Sequence, residues 1–405
     1  MTSESHTESL VRRFAPVVLT RLLRKYGEFG ECEDAVQEAL IAAILQWPHD
    51  GVPENPEGWL VRVASRRWIE AARSDSARRR REEAVSSISG SDAPFQEQSD
   101  DDTLTLMLLC AHPHLTEASQ IALTLRAVGG LTTDEIAAAF LVPSPTIGQR
   151  ISRAKRQLAG AKFSLPDEAE QQTRLRVLMR VLYLIFNEGY VASSGDRLHR
   201  VELTHEAIRL TRQLHRARPA EGEVKGLLAL MLLTEARRRS RSDVDGALVP
   251  LSLQDRSLWN GTLIREGVAL ISEALKATPI GEYQLQAAIA AIHDEAKAAS
   301  DTDWPQILVL YDLLLAVAPS STVRLNRIVA VSMVDGPDVA LQQLSALHDA
   351  LFEHHRFHAV RAHLLEESGR LEEARAEYAF AAQRTASIPE KLYLTSRAGR
   401  ISSKP

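Results

Sequence analysis

The sequence predicts an all-α protein. Strand signals are almost absent along its 405 residues, and apolar residues recur at three- and four-residue spacing nearly throughout, the period of an amphipathic helix. Helix starts are also written into it: Thr132 with Glu135 three positions on is a capping box, and Ser144 followed by Pro145 is a cap and first turn. A chain of this length exceeds one ordinary core. Three helical blocks emerge, at residues 7–82, 103–163 and 170–405, with a linker at 83–102.

In the first block, helices are expected at Leu10–Lys25, Cys32–Gln46 and Pro56–Arg73, with Pro48, Pro53 and Pro56 marking the loop between the last two. On the second helix Asp34, Gln37, Glu38 and Ile41 share one face, and Val36, Leu40, Ala43 and Ile44 share the opposite one. The latter is the core face. The former is an acidic docking surface or simply a solvated face. On the third helix Trp59, Val63, Ala64 and Ile69 are expected inside. Arg62, Arg66, Arg67, Arg73 and the run Arg78 to Arg81 form a cationic strip that contains Trp68. Arginines meet phosphates and an aromatic ring stacks on an unpaired base, as where melting DNA is held; the alternative is a core tryptophan beside a solvated helix end. The segment from Ser86 to Asp102, SSISGSDAPFQEQSDDD, is rich in Ser and acids, lacks periodicity and has little to bury.

The second block ends in LTTDEIAAAFLVPSPTIGQRISRAKRQL, residues 131–158. A first short helix carries Ile136, Ala137 and Phe140 on one stripe, and Pro143 cannot continue it. A second helix begins at once. Ile147, Ile151, Ala154 and Leu158 fall on its packing side, and Thr146, Gln149, Arg150, Arg153 and Arg156 fall on the other with Lys155 beside them. Two short helices, a tight turn and a cationic outer face specify a helix-turn-helix that meets phosphates and base edges.

The third block begins with the apolar run that ends at Asn187, Glu188, Gly189 and Tyr190, where Gly189 is suited to end a helix in the left-handed region. The signature is either a docking helix end or part of a ligand sensor. Farther on, Ala362, Gly369, Ala374, Tyr378 and Ala381 fall at tetratricopeptide spacing, with small residues where paired helices cross. Ile307, Tyr311, Leu314 and Pro319 echo the pattern, followed by a helix over Thr322–Val334 and a break at Gly336-Pro337. A repeat-like helical array is expected over this block, with an irregular bundle as the alternative.

Lysine and arginine number 48 against 53 aspartates and glutamates, for a net charge of −5. DNA contact therefore has to come from local basic patches. Two cysteines, Cys32 and Cys110, far apart in sequence, make no disulfide framework. Apolar runs are too short for a membrane span and the first ten residues lack a signal-peptide pattern, so a cytoplasmic protein without membrane association is expected. Cys110, His112 and His114 lack a fourth ligand, and His354 with His358 lacks the glutamate of a zinc protease, so no metal or other cofactor is expected. No phosphate loop, nucleophile elbow or catalytic carboxylate pair supports an enzyme.

The order EDAVQEAL, GWLVRVASRRWIEAAR, acidic linker and LTTDEIAAAFLVPSPTIGQRISRAKRQL resembles the two conserved regions of bacterial extracytoplasmic-function (ECF) sigma factors, over about residues 7–163. The block opening TRLRVLMRVLYLIFNEGYVASSGD is similar to the large tetratricopeptide-like C-terminal extension of one sigma subgroup. The resemblance implies that Asp34, Gln37, Glu38 and Ile41 dock on core RNA polymerase. It implies that Arg62, Arg66, Arg67, Trp68 and Arg73 hold the minus-ten element, and that Thr146, Gln149, Arg150, Arg153, Lys155 and Arg156 read the minus-thirty-five element of promoter DNA. Arg66 stands where many members carry Asn, so base preference is not carried over. Asp92 and Asp100 to Asp102 in the linker would thread toward the catalytic channel. The extension is expected to regulate or support activity, through a regulatory protein or ligand. The competing expectation is a stand-alone helix-turn-helix regulator with a helical-repeat sensor, and the acidic face of Asp34 and Glu38 separates the two.

Overall fold

The computed structural model describes residues 3–79, 100–140, 142–161, 163–190, 201–243, 245–277, 279–347 and 355–402. Arg80, Arg81, residues 83–99 of the linker and His354 lie outside them. Among the described residues the secondary structure is helical, apart from one isolated bridge between Ser242 and Leu248. The chain divides into two compact units, Met1–Leu184 and Ile185–Pro405. None of the described helices is long and apolar enough to cross a membrane.

The first unit opens with α1 (Ser3–Tyr26), α2 (Phe29–Asp50) and α3 (Pro56–Arg79). Val11, Ala15, Val18, Leu19, Leu22 and Leu23 recur at helical spacing on α1, and all are buried. They meet Phe29, Val36, Leu40, Ala43 and Trp47 of α2 and Leu60, Val61 and Ala64 of α3 in one core. Two residues expected inside are not. Ile44 is 39% exposed, because it stands about 80° around the helix from Val36, at the edge of the stripe that Leu40, Ala43 and Trp47 follow. Ile69 is 37% exposed and lies about 180° from Leu60, so Leu60 and Val61 take the inner face instead. Trp59 and Val63 are half-buried, with Trp59 edge-on to Trp47 at 5.5 Å between ring centroids.

Next come α4 (Asp100–Cys110), α5 (Glu117–Ala127), α6 (Thr133–Phe140) and α7 (Ser144–Gln157). Helix α4 starts at Asp100, so the last three residues of the expected linker are helical. The α6 capping box is present: the Thr132 backbone N–H donates to Glu135 Oε2 at 2.7 Å, and the Glu135 N–H donates to Thr132 Oγ1 at 3.1 Å. Pro143, rather than Ser144, takes the cap position of α7, because its carbonyl already accepts from the Thr146 N–H at 2.9 Å and Ser144 is drawn into the helix. Ile147, Ile151, Ala154 and Leu158 are buried, as their spacing requires. Helix α8 (Glu168–Tyr190) closes this unit and runs into the next. It continues through Gly189, which is therefore helical and not the expected left-handed terminator.

The second unit comprises the end of α8, α9 (Val201–Ala217), α10 (Gly222–Ala236), α11 (Gly261–Ala277), α12 (Glu282–Glu295), α13 (Trp304–Val317), α14 (Ser321–Asp335), α15 (Pro337–Ser345), α16 (His355–Glu367), α17 (Leu371–Arg384) and α18 (Ile388–Ser402). Helix α10 is apolar around nearly its whole circumference and accordingly sits inside α9, α11 and α12. Gly226 permits this packing, since a Cβ there would stand 2.6 Å from the Gln284 backbone nitrogen of α12. Beyond α12 the core continues as a chain of small clusters. Leu285, Ile307, Leu314 and Ala330 join α12 to α14. Ile328, Leu344, Phe357 and Leu364 join α14 to α16, and Ala362, Ala374, Tyr378, Ala381 and Leu394 join α16 to α18. Each helix packs on its neighbours in sequence, with Gly369 at φ 74° making the turn between α16 and α17.

Candidate nucleic-acid interface

The acidic face of α2 follows from the helical period. Asp34, Glu38 and Ile41 are exposed and Gln37 is half-buried, on the side away from Val36 and Leu40. Its neighbour Glu33 falls on the apolar side and is 1% exposed. A carboxylate there needs cations, since an uncompensated buried charge is costly. It has two, both from the helix-turn-helix block. Arg126 Nε, at the end of α5, donates to Glu33 Oε1 at 3.0 Å, and the Lys155 ammonium of α7 pairs with Glu33 Oε2. Lys155 Nζ also reaches Asp34 Oδ1 at 2.6 Å. Gly30 lies beneath the stem of Lys155, at a distance where a Cβ would make only an ordinary contact of 3.7 Å with Lys155 Cβ.

The expected cations of α7 therefore divide. Lys155 faces α2 with its side chain 15% exposed. Gln149, Arg153 and Arg156 are exposed and Thr146 and Arg150 half-buried, and the three arginines have no ion pair among the described residues. A cleft of about 580 Å³ separates α2 from α7, bordered by Glu28, Glu31, Asp34, Gln37, Ser152 and Arg156.

On α3, Arg62, Arg66, Arg67 and Arg73 are all exposed. Arg66 Nε donates to Glu70 Oε1 at 2.9 Å one turn on, which holds the Glu70 carboxyl below its ordinary range. Arg67 lies 3.4 Å from Glu38 and 3.6 Å from Glu70, so one residue of the expected polymerase face pairs with one of the expected minus-ten strip. Arg62 has no ion pair among the described residues. Trp68 is half-buried and stacked on Tyr26 of α1, with centroids 3.9 Å apart and planes 14° from parallel. One face of its ring is thus covered by the protein.

Asn187, Glu188, Gly189 and Tyr190 form the last turn of α8. Tyr190 stacks on Phe186 at 5.7 Å, and the Arg241 guanidinium lies over the Tyr190 ring at 3.6 Å while its Nη1 donates to the Tyr190 carbonyl at 2.7 Å. Burial lowers the Arg241 pKa, the expected direction for a cation taken out of water. Tyr190 is thus packed at the end of α8 within the second unit. Both cysteines are buried, and burial pushes the Cys32 thiol up to about 12, which leaves it an inert packing group.

Sequence reasoning missed Glu33 and Arg126. The signal was present in Glu33, which shares its side of α2 with Val36 and Leu40. A carboxylate on an apolar stripe announces a buried partner, but periodicity does not say which.

Family models place these elements. One described as sigma-70 region 2 matches residues 10–79, and one described as sigma-70 region 4 matches residues 105–158. A third, described as a family of unknown function (DUF6596), matches residues 174–275. An uncharacterized protein of Rhizobium meliloti (strain 1021) is 39% identical over 399 residues, which cover 96% of this chain and 94% of its own length. The probable ECF RNA polymerase sigma factor SigI of Mycobacterium tuberculosis is 29% identical over 179 residues, 43% of this chain and 58% of its own length. With α1 to α3 forming region 2, α4 to α7 forming region 4 and a long helical unit following them, the chain belongs to the ECF sigma factors that carry a large C-terminal extension.

Proposed function

We propose that this sigma factor binds core RNA polymerase through Asp34, Gln37, Glu38 and Ile41 and directs promoter-specific initiation through two DNA contacts, with the C-terminal helices regulating or supporting that activity. The observation that carries the reading is the ordered pair of sigma-70 regions. An acidic face with an exposed isoleucine on α2 and a face of unpaired arginines on α7 fit it. Arg62, Arg66, Arg67 and Arg73, with Trp68 on Tyr26, hold the minus-ten strand. Thr146, Gln149, Arg150, Arg153 and Arg156 enter the major groove at minus thirty-five, where arginine pairs with guanine or phosphate. The stack from α12 to α18 is a tetratricopeptide-like array, supported by small buried residues at its helix crossings, Ala330, Ala362, Ala374 and Ala381. Such a protein works in the cytoplasm.

In the free chain Asp34 and Lys155 occupy each other. Presentation of Lys155 to DNA requires that pair to part, while Asp34 keeps 72% of its side chain exposed, so region 4 borders the docking face through Lys155 and leaves it open. The test is run-off transcription on a genomic promoter library with purified bacterial core polymerase, comparing the intact chain with Asp34→Ala/Glu38→Ala. Specific transcripts that disappear in the double variant are expected. An intact chain that binds duplex DNA specifically but neither binds polymerase nor yields transcripts would establish the stand-alone regulator instead.

A further inference from the structure

The second unit holds a cavity of about 460 Å³ among the loops before α11, the end of α12, the turn before α13 and one side of α13, α14 and α16. Its size is that of small-molecule sites, which are mostly apolar with a few convergent polar groups. The apolar wall comes from Leu251, Trp304, Tyr311, Val329 and Met333. Trp304 and Tyr311 are partly buried and pack against the cluster of Ile307 and Leu314, so they join the core to the cavity, while Met333 of α14 is exposed at its rim.

The polar groups converge from separate segments. Arg256 is fixed: its Nη1 donates to the carbonyls of His293 at 2.6 Å and Ala296 at 2.7 Å, at the end of α12, and its guanidinium lies 4.4 Å from the Trp259 ring centroid. His293 stands edge-on to Trp304 at 5.2 Å, and its Nδ1 is buried with no hydrogen-bond partner among the described residues. Burial together with the charges of Arg237 and Arg256 holds its pKa down to about 4, so the ring is neutral. The side chains of Asn326 and His363 also line the cavity and have no partner among the described residues. No carboxylate lines it. Asp294 and Asp301 lie near enough to influence Arg256 but outside the wall, and burial pushes Asp294 up to about 7, which weakens it as a counter-ion. A fixed arginine, an aromatic wall and unused amide and imidazole groups, with no lining acid, suit a negative head on a planar apolar body.

We propose that this cavity binds a small organic anion with an aromatic body, its ring against Trp304 and Tyr311 and its negative group toward Arg256, His293 and Asn326. The site goes beyond the transcriptional reading and depends on the C-terminal unit alone, so it stands or falls without regard to promoter activity.

The experiment uses 8-anilinonaphthalene-1-sulfonate as probe for the full-length protein, with N-phenyl-1-naphthylamine, the same ring system without the sulfonate, as its uncharged counterpart. Saturable fluorescence with one dye per chain is expected, together with binding of the uncharged amine at least about tenfold weaker. Met333→Trp, at the half-exposed rim, fills the cavity from outside the cores, and Asn326→Leu removes a polar anchor from an exposed position. Each is expected to weaken dye binding by about tenfold with the thermal midpoint unchanged. Undiminished binding in either variant that keeps the wild-type midpoint, or no saturable binding by the wild type, would overturn the site. Equal affinity for the uncharged amine would overturn the anion. If one variant loses its fold, the other carries the test.

Discussion

The two cationic helices of the first unit, α3 and α7, hold their charges in opposite ways. Arg66 of α3 is paired within one turn of its own helix and its side chain is 82% exposed. Exposed pairs of this kind contribute about 0.3–0.5 kcal/mol, so Arg66 is available to a phosphate at almost no cost. Lys155 of α7 is paired across 121 residues with Asp34 and, beside it, with Glu33, which is buried. Breaking a pair of that kind by removing one partner is expensive. The difference shows which contacts set the conformation of the sigma regions and which merely idle on their surface. The Arg66–Glu70 pair leaves its cation open to solvent, whereas the long-range cluster around Glu33 links α2 to α5 and α7.

The largest effect is therefore expected at Glu33. Replacing it by Gln leaves Arg126 and Lys155 without their buried counter-charge and should reduce stability toward urea by about 3 kcal/mol or more. A loss under about 1 kcal/mol, the range of an exposed pair, would erase the contrast between the two helices. Next, Arg153→Ala should weaken a minus-thirty-five duplex by about 1–3 kcal/mol if the residue reads a base, with discrimination relaxed at one position, or evenly across sequences if it meets a phosphate. Binding curves on a set of single-substituted duplexes separate these, and unchanged affinity throughout would remove α7 as the reading helix. A smaller effect is expected for Arg66→Ala: stability within about 0.5 kcal/mol of wild type, and a salt dependence of promoter binding shallower by about one unit of slope. A large loss of stability there would place α3 in the same class as α7.

The smallest effect concerns pH. The Arg66 hydrogen bond lowers the Glu70 pKa, so the ionised pair stabilises the native chain above the ordinary carboxylate range. That contribution is lost as pH falls through this range toward the depressed native value. Carbon-detected NMR of Glu70 should show its titration moving upward in Arg66→Ala. An unshifted curve would mean that the pair does not persist in solution.

Much of this arrangement is legible in the chain, and the limits have physical causes. Thr132 and Glu135 specify their capping box within four residues, and the small residues Ala362, Ala374 and Ala381 mark helix crossings wherever the partner helix lies. All three are buried as that spacing requires. Period alone was less decisive at stripe edges, where Ile44 and Ile69 remain partly in solvent although apolar. Gly189 was suited to a left-handed end, yet α8 runs one residue past it to a tyrosine held by Arg241, 51 residues away. The candidate site shows the same division. Helical spacing separates Asp34 and Glu38 from the core and turns Arg153 and Arg156 outward. It cannot join Lys155 to Glu33, because the partner of a buried charge is chosen by tertiary packing. The cavity between α13 and α14 is hidden for the same reason, since Tyr311 and Met333 read as ordinary helix positions until both helices are in place.

If Lys155 holds region 4 at the edge of the proposed polymerase-docking face, polymerase binding at that face should release it. Energy transfer between dyes on cysteines introduced at the exposed positions Leu45 of α2 and Gln157 of α7 measures this directly, since Cys32 and Cys110 are buried away from the label. Efficient transfer is expected in the free full-length protein, with a marked fall on adding core RNA polymerase and a partial fall in Lys155→Ala without polymerase. Transfer that stays constant while polymerase binds would contradict it.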